Sequence, residues 1–426
     1  MSNKSFTSNG FSTESSFINV VLASYLPLFF FIFLAVFFYD SYSGSLPLGS
    51  LFFMAKEPPW LPGGVQPIAL AGQHFFGDFQ LPWVMANQSN PFSTGNIYNN
   101  ILPIGYIYFL IIGIFNLHVA FILFTSTSFF TYLWAIQILS KMYTLENKII
   151  WTFGLFNLPL LECLDRGAPV LLVTSLFVIA SCILIKDKSN KYIIHFYCLV
   201  AAFCLGGKIY LLPALLILVL GASIRFRYFF WITVYFIAGN LAISYVYSGP
   251  FDAFKQIMFS LNAVSNNHFG NIFVSTNYSS ALLRITSFFH ESNFLSSNLF
   301  TAISVLSFLI AATIVFRLKI RGMTMFMSLS MIQYFATVSF VYTVIWVVFG
   351  LIIFIHDNEL KCFMSEHKFT YRFACLTLIL EILPFPQVLA YWLFPSLWFI
   401  SVISILTISL RSNQHQLCTD HSNSNH

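Results

Sequence analysis

The sequence predicts an all-α, polytopic integral membrane protein, and three observations support this fold class. Charged residues make up only 8% of the 426 residues, about a third of the share found in soluble domains. Hydrophobic residues make up 58%, including 52 phenylalanines. Apolar stretches long enough to cross a bilayer as helices recur along almost the whole chain. We therefore expect about 10 to 13 transmembrane helices, each needing roughly 20 apolar residues.

The first predicted span, 17–39, contains no charged residue and is too long for a signal-peptide core. Segment 101–140 is apolar throughout, too long for one span and barely sufficient for two. Two crossings would leave many later lysines and arginines outside, so one crossing plus a half-span is expected there. Further spans are predicted near 149–162, 168–185, 193–206, 209–223, 229–247, 298–316, 323–338, 339–355, 371–385 and 388–410.

Residues 17–410 are predicted to form one transmembrane domain between two polar tails. The tails, 1–16 and 411–426, are expected to be disordered and cytoplasmic. The two longest polar loops, 40–100 and 248–297, are expected on the extracytoplasmic side.

Two aromatic-flanked stretches of the first outer loop, 51–56 and 74–83, are expected to lie as short helices along the membrane surface. Their flanking tryptophans, Trp60 and Trp83, would then sit at headgroup level.

Positive charge is distributed unevenly between the two sides of the predicted membrane. Fifteen of the 20 lysines and arginines lie in short loops or tails that the positive-inside rule places in the cytoplasm. These residues are interpreted as topology determinants, so no nucleic-acid partner is expected. The seven cysteines show no CxxC spacing, which argues against a disulfide framework or a cysteine metal site. The basic residues left for the other side are Lys56, Arg166, Lys208, Lys255 and Arg284.

Charges on the outer side are functional candidates, because a charge at the centre of a membrane helix costs about +2.5 to +3.5 kcal/mol. Asp78 lies in the run His-Phe-Phe-Gly-Asp-Phe-Gln-Leu-Pro-Trp. Its apolar neighbours would desolvate a carboxylate and raise its pKa, which suits a general base. A loop-capping aspartate after Gly77 is the alternative.

Basic residues at two further helix boundaries are candidate phosphate ligands. Asp165 and Arg166 could pair and cap helix 168–185, or Arg166 could bind a phosphate, whose oxygens the guanidinium matches in a bidentate way. Lys208 follows two glycines in Leu-Gly-Gly-Lys-Ile-Tyr. It could snorkel to the membrane interface or contact a phosphate.

Polar and aromatic residues of the outer loops are candidate sugar or acceptor contacts: His74, Asn267, His268 and Tyr278. An ordinary polar loop is the alternative reading of 248–297. The histidines are too isolated to predict a metal site. No P-loop, GxSxG, HExxH or helix-opening GxGxxG motif occurs, so ATP-driven transport and soluble-type hydrolysis lack support. No metal or other cofactor is expected.

Several short motifs follow one another in a recognisable order along the first half of the chain. A first span leads to a long outer loop with an acidic residue, and the motifs Asn-Pro-Phe, Ile-Leu-Pro-Ile-Gly-Tyr, Leu-Asp-Arg-Gly and Gly-Lys-Ile-Tyr follow it at 90–92, 101–106, 164–167 and 207–210. This arrangement resembles C-type (GT-C) membrane glycosyltransferases over roughly residues 17–225. It is most similar to glycosyltransferase family 87, bacterial enzymes that use polyprenyl-phosphate sugars, and also to the eukaryotic enzyme that adds the first mannose to the glycosylphosphatidylinositol core.

The resemblance implies an inverting hexose transfer, with mannose as the first candidate, on the outer face of a bacterial plasma membrane. Asp78 would deprotonate the acceptor, while Arg166 and Lys208 would bind the donor phosphate. The implied partners are a polyprenyl-phosphate sugar donor, a lipid or glycan acceptor and membrane lipids.

Two positions depart from the family pattern. Asp78 stands alone where some relatives carry Asp-X-Asp, which argues against an obligatory metal. Ala168 follows Arg-Gly where relatives often carry Asn, which leaves the detail of that site, and the activity itself, open.

Three alternative functions remain open from the residues. A polysaccharide polymerase or ligase would rely on an arginine-rich outer site, and five outer cations are few. A non-enzymatic transporter or flippase would line its path with intramembrane charges, and Glu162 and Glu381 are the acidic residues expected at helix depth. The third alternative is a homologue that has lost its activity and acts as a partner subunit.

Overall fold

The computed structural model describes residues 9–42, 77–88, 101–143, 147–186, 190–247, 296–335, 344–365, 367–384 and 387–411. Within these ranges every regular element is helical and none is a strand. The all-α fold class predicted from the sequence is confirmed.

Sixteen helices follow one another along the described chain. They are α1 (Asn9–Tyr42), α2 (Gly77–Ala86), α3 (Pro103–Ile112), α4 (Leu117–Tyr143), α5 (Asn147–Leu155), α6 (Leu158–Arg166), α7 (Pro169–Lys186), α8 (Lys191–Gly207), α9 (Leu211–Leu220), α10 (Phe226–Tyr247), α11 (Ser296–Leu318), α12 (Arg321–Phe335), α13 (Ile345–His356), α14 (Asn358–Ser365), α15 (Lys368–Ile382) and α16 (Gln387–Arg411).

Four of the described helices are long and apolar enough to cross a membrane: Phe17–Ala35 within α1, together with α4, α7 and α10. Shorter apolar helices accompany them: Pro103–Ile112, Lys191–Gly207, Leu211–Leu220, Ala302–Leu318, Ile345–His356 and Ser396–Arg411. These lengths and compositions are those of a multi-pass membrane protein.

Segment 101–140 divides at 113–116 into a ten-residue helix, α3, and a 27-residue helix, α4. A ten-residue helix rises only about 15 Å, roughly half of the hydrocarbon core. The segment thus contains one helix of half length and one of full length, as the charge distribution predicts.

The predicted span near 149–162 is not one continuous helix, because the structure contains two nine-residue helices there, α5 and α6. The break comes from Asn157, whose side-chain oxygen accepts a hydrogen bond from the Leu160 amide at 2.8 Å, and from Pro159 in the first turn of α6. Proline has no N–H to continue a helix from the preceding turn.

Buried tyrosines and the amide of Asn157 satisfy the carbonyls that this break releases. Asn157 is fully buried, and its side-chain nitrogen donates to the Phe153 and Gly154 carbonyls, both at 3.0 Å. The Tyr132 hydroxyl donates to the Gly154 carbonyl and the Tyr25 hydroxyl to the Phe156 carbonyl, each at 2.6 Å. A helix can therefore be interrupted here without leaving these buried carbonyls unpaired.

The N-terminal tail differs from its predicted disorder, because α1 already begins at Asn9 within segment 1–16. Helix propagation adds one hydrogen bond for each residue fixed, so a long apolar helix carries its polar N-terminal extension with it. Segments 1–8 and 412–426 lie outside the described residues.

Contacts between helix ends define one face of the bundle, which we name the basic end. A Cβ built on Gly221 would meet Thr324 Oγ1 at 2.7 Å, and one on Gly322 would meet Asp357 Cβ at 2.7 Å. The Arg372 guanidinium lies 5.3 Å from the Phe17 ring centroid. Basic residues predicted to be cytoplasmic lie on the segments that meet here: Lys141, Lys148, Lys186, Lys191, Arg225, Arg227, Arg317, Lys319, Arg321, Lys361, Lys368 and Arg372.

The opposite end of the bundle is reached by following α4 and α7, which run side by side in the same direction. Tyr143, at the end of α4, lies near Cys182, which is close to the end of α7. Phe121, near the start of α4, lies beside Gly167, which precedes α7. The starts of α4 and α7 therefore lie together, at the end of the bundle away from the basic residues.

We expect Asn157→Ala to lower the free energy of unfolding by about 1–3 kcal/mol, because several buried backbone groups lose their partner. The shift in apparent Tm of the detergent-purified protein measures this loss. Asn190→Ala is the matched control, since exposed Asn190 caps α8 through one bond from the Tyr192 amide at 3.2 Å. That cap is worth about 0.5 kcal/mol. Equal losses of unfolding free energy in the two variants would contradict the role of Asn157 as the partner of several buried backbone groups.

Candidate active site

The short helix α2 is fixed to the bundle by an aromatic cluster distinct from the main core. Phe79 is fully buried, and its ring centroid lies 5.1 Å from that of Phe124, 5.5 Å from that of Phe121 and 6.1 Å from that of Phe109. Further along α2, buried Met85 packs in the same cluster. A short helix predicted at 74–83 is found at Gly77–Ala86, with one face buried against α3 and α4.

Gly167 brings the start of α2 to the end of α6. It ends α6 in the left-handed conformation, with φ of 61°, which glycine adopts without steric cost. A Cβ at this position would lie 2.7 Å from Phe79 Cβ and 2.9 Å from Phe121 Cε2. Asp78 directly precedes Phe79, and Arg166 directly precedes Gly167. The backbone segments that carry these two candidates are therefore in contact.

The backbone places Asp165 and Arg166 before the turn into α7. Asp165 and Arg166 belong to the last turn of α6, and Ala168 directly precedes the first residue of α7. Ala168 is buried, and its amide donates to the Cys163 carbonyl at 2.9 Å. The side chains of Asp78, Asp165 and Arg166 lie outside the described atoms, so their roles stay predictions.

Lys208 ends α8 in an extended conformation, half-buried at the turn into α9. Its amide donates to the Cys204 carbonyl at 2.9 Å, and its carbonyl accepts from the Leu211 amide at 3.0 Å. The lysine backbone is therefore fixed from both sides.

The two glycines before Lys208 allow a close approach between backbone segments. The Leu102 amide donates to the Gly206 carbonyl at 2.7 Å. A Cβ on Gly105 would lie 2.5 Å from the Gly206 carbonyl carbon, and one on Gly207 would lie 2.7 Å from Val173 Cγ2. The start of α3 thus touches the end of α8 through backbone atoms.

Two observations connect the Lys208 turn to the Arg166 turn. Val173, which touches Gly207, lies six residues after Gly167, a distance of about 9 Å along a helix. Tyr210, two residues after Lys208, also lies near Cys163, one turn before Arg166. The segments that carry Asp78, Arg166 and Lys208 therefore meet at the end of the bundle opposite the basic end.

Asn240 is a supporting residue that the sequence reasoning missed. Its side-chain oxygen accepts from the Ile104 amide at 3.1 Å, and its nitrogen donates to the Phe236 carbonyl at 2.7 Å. The bond from the Ile104 amide satisfies the first backbone N–H of α3, because Pro103 has no N–H. An amide side chain within the otherwise apolar span 229–247 was the available signal.

The remaining predicted contacts, His74, Asn267, His268 and Tyr278, lie outside the described residues. In the part of the chain that the structure describes, no group of three or more His, Cys, Asp and Glu residues could hold a metal ion. The expectation that no metal or other cofactor is needed stays a prediction.

Comparison with known proteins identifies one family. The sequence profile of glycosyltransferase family 87 matches residues 103–354, more than half of the chain. No curated protein and no solved structure matches. The match reaches well past 225, where the resemblance was expected to end, and it includes Arg166 and Lys208. Asp78 lies before its first residue.

We expect Gly105→Ala to destabilise the protein by about 1–3 kcal/mol, the usual cost of overpacking, because the new methyl group would collide with the backbone at Gly206. The apparent Tm in detergent measures the effect. Gly350→Ala is the matched control, since a Cβ there would meet nothing closer than 3.3 Å, and its helix-propensity gain of about 1 kcal/mol offsets mild crowding. A Tm unchanged in both variants would show that α3 and α8 do not touch.

Proposed function

This chain belongs to glycosyltransferase family 87 and is a membrane glycosyltransferase, and on that premise we propose that it transfers a hexose from a polyprenyl-phosphate sugar to a lipid or glycan acceptor. Mannose is the first candidate for the sugar. The observation that carries the proposal is the meeting of three segments at one end of the bundle. One brings an acid, Asp78, and two bring cations, Arg166 and Lys208.

Close contacts at two glycines support this grouping independently of the family. Gly167 lies against Phe79, and Gly207 lies against Val173 of α7. Because glycine has no Cβ, the chain segments come into close contact at these two positions. A site divided among α2, α6 and α8 needs such fixed crossings if its charged groups are to act on one substrate.

In the proposed reaction, the acceptor hydroxyl gives its proton to the Asp78 carboxylate as its oxygen attacks the anomeric carbon. The bond between that carbon and the donor phosphate oxygen breaks, and its electron pair stays on the lipid phosphate. Arg166 and Lys208 bind the donor phosphate and also stabilise the charge that develops on its oxygens. Attack from the face opposite the leaving group inverts the anomeric configuration.

A donor anchored in the bilayer also suits the chemistry of the site. The phosphate headgroup would lie at the membrane interface, where lysine and arginine place their charged ends while their stems stay in apolar surroundings. A guanidinium can bind two phosphate oxygens at once. The positive-inside rule would place the basic end in the cytoplasm and this site on the outer face of a bacterial plasma membrane.

We expect Asp78→Asn to lower kcat by about 10²- to 10⁴-fold, since it removes the general base while keeping the side-chain shape. The measurement is transfer of radiolabelled mannose from polyprenyl-phosphate mannose to membrane acceptors, with NMR of the product to read the anomeric configuration. Unchanged transfer by Asp78→Asn at wild-type expression would disprove the base assignment. Movement of sugar across the membrane without a covalent product would disprove the proposed function.

We expect Arg166→Gln and Lys208→Gln each to raise the KM for the donor about tenfold, which corresponds to about 1.4 kcal/mol of lost phosphate binding. Arg166→Lys should restore only part of the loss, because an ammonium group cannot form the bidentate contact. Lys191→Gln removes an exposed cation at the basic end and is the matched control. A similar rise in KM for all three glutamine variants would indicate a general effect of net charge instead.

A further inference from the structure

The first turn of α2 is held weakly by its own backbone. The helix has ten residues, fewer than the 12–15 or so that an isolated helix needs for marginal stability. Pro82 lies inside it and cannot donate the usual hydrogen bond to the carbonyl four residues earlier. That carbonyl belongs to Asp78, so the backbone around Asp78 lacks one helical restraint.

Side-chain packing at Phe79 compensates for this missing backbone hydrogen bond. The Phe79 ring is fully buried among Phe109 of α3 and Phe121 and Phe124 of α4. Fully buried aromatic rings contribute about 0.5–1.5 kcal/mol per ring pair beyond area burial. Three ring contacts at one residue give the first turn of α2 its fixed position.

Gly167 makes the same turn a neighbour of the proposed phosphate site. Its missing side chain admits Phe79, and a Cβ there would lie 2.7 Å from Phe79 Cβ. The Phe79–Gly167 contact therefore joins the residue after Asp78 to the residue after Arg166. A shift of Phe79 alters the spacing between these two chain segments.

We propose that Phe79 is a positioning residue that acts through Asp78, fixing the acid at a set distance from the end of α6. The proposal rests on the function proposed above. Phe79 does not touch the substrate in this account. Its ring holds the first turn of α2 against α3 and α4, while its Cβ holds that turn against Gly167.

The test is Phe79→Leu, which keeps the Cβ beside Gly167 and removes the ring contacts. We expect kcat to fall about 10²-fold, the typical effect of misplacing a catalytic group by about 1 Å, with the donor KM within twofold of wild type. In an Asp78→Asn background the same substitution should change the residual rate less than twofold, because the group it positions is gone. Hydrogen–deuterium exchange in 77–86 should rise.

Phe354→Leu is the matched control, because Phe354 is fully buried at the basic end, with ring centroids 5.0 Å from Phe326 and 5.3 Å from Tyr371. It should lower the apparent Tm similarly and leave kcat and exchange in 77–86 unchanged. If Phe79→Leu does not fold, Phe79→Met replaces it with a side chain closer in volume.

Two results would overturn the positioning role while leaving the proposed function intact. One is a kcat for Phe79→Leu equal to that of Phe354→Leu, with exchange in 77–86 unchanged. The other is an equal loss of rate from Phe79→Leu in the wild-type and Asp78→Asn backgrounds. If wild type transfers no sugar, or Asp78→Asn is fully active, the proposed function fails and the positioning role fails with it.

Discussion

Direct backbone contact between α3 and the end of α8, through Gly105 and Gly206, is the constraint on which the rest of the site depends. It sets the depth at which α3 enters the bundle, and α3 in turn carries part of the aromatic surface that receives α2. It also fixes the turn that carries Lys208. A side chain at either glycine would separate these segments, so two residues without functional groups determine where the charged ones lie.

Interrupted helices require that exposed backbone groups find partners inside the protein, since lipid offers none. Two asparagines provide them here. Asn157 pairs with the groups released between α5 and α6, and Asn240 pairs with the first amide of α3. Asn157 lies in a segment that would otherwise form one apolar helix, whereas Asn240 lies within the continuous helix α10 and reaches the start of α3 from there. The breaks allow short helices to end within the bundle, which is where the candidate residues Arg166 and Lys208 are found.

The sequence predicted the fold class and the family, and it singled out three segments whose residues' roles in the site stay predictions. A charge near an apolar helix is costly, so Asp78, Arg166 and Lys208 stood out. The break at Asn157 was missed because the apolar run around it is nearly uninterrupted and hydropathy does not register a capping amide. Phe79 was one phenylalanine among 52, and its burial depends on contacts with α3 and α4 that only the three-dimensional arrangement reveals.

The proposed function requires that the candidate site and the basic end lie on opposite sides of the membrane. Single cysteines placed by Asn87→Cys and Asn190→Cys, in a variant whose seven native cysteines are replaced, report on it directly. Both positions are exposed; Asn87 adjoins α2, and Asn190 adjoins α8 at the basic end. The account predicts that a membrane-impermeant thiol reagent labels the first in intact cells and the second only after permeabilisation. Labelling of both from the same side, or the reverse pattern, would contradict it.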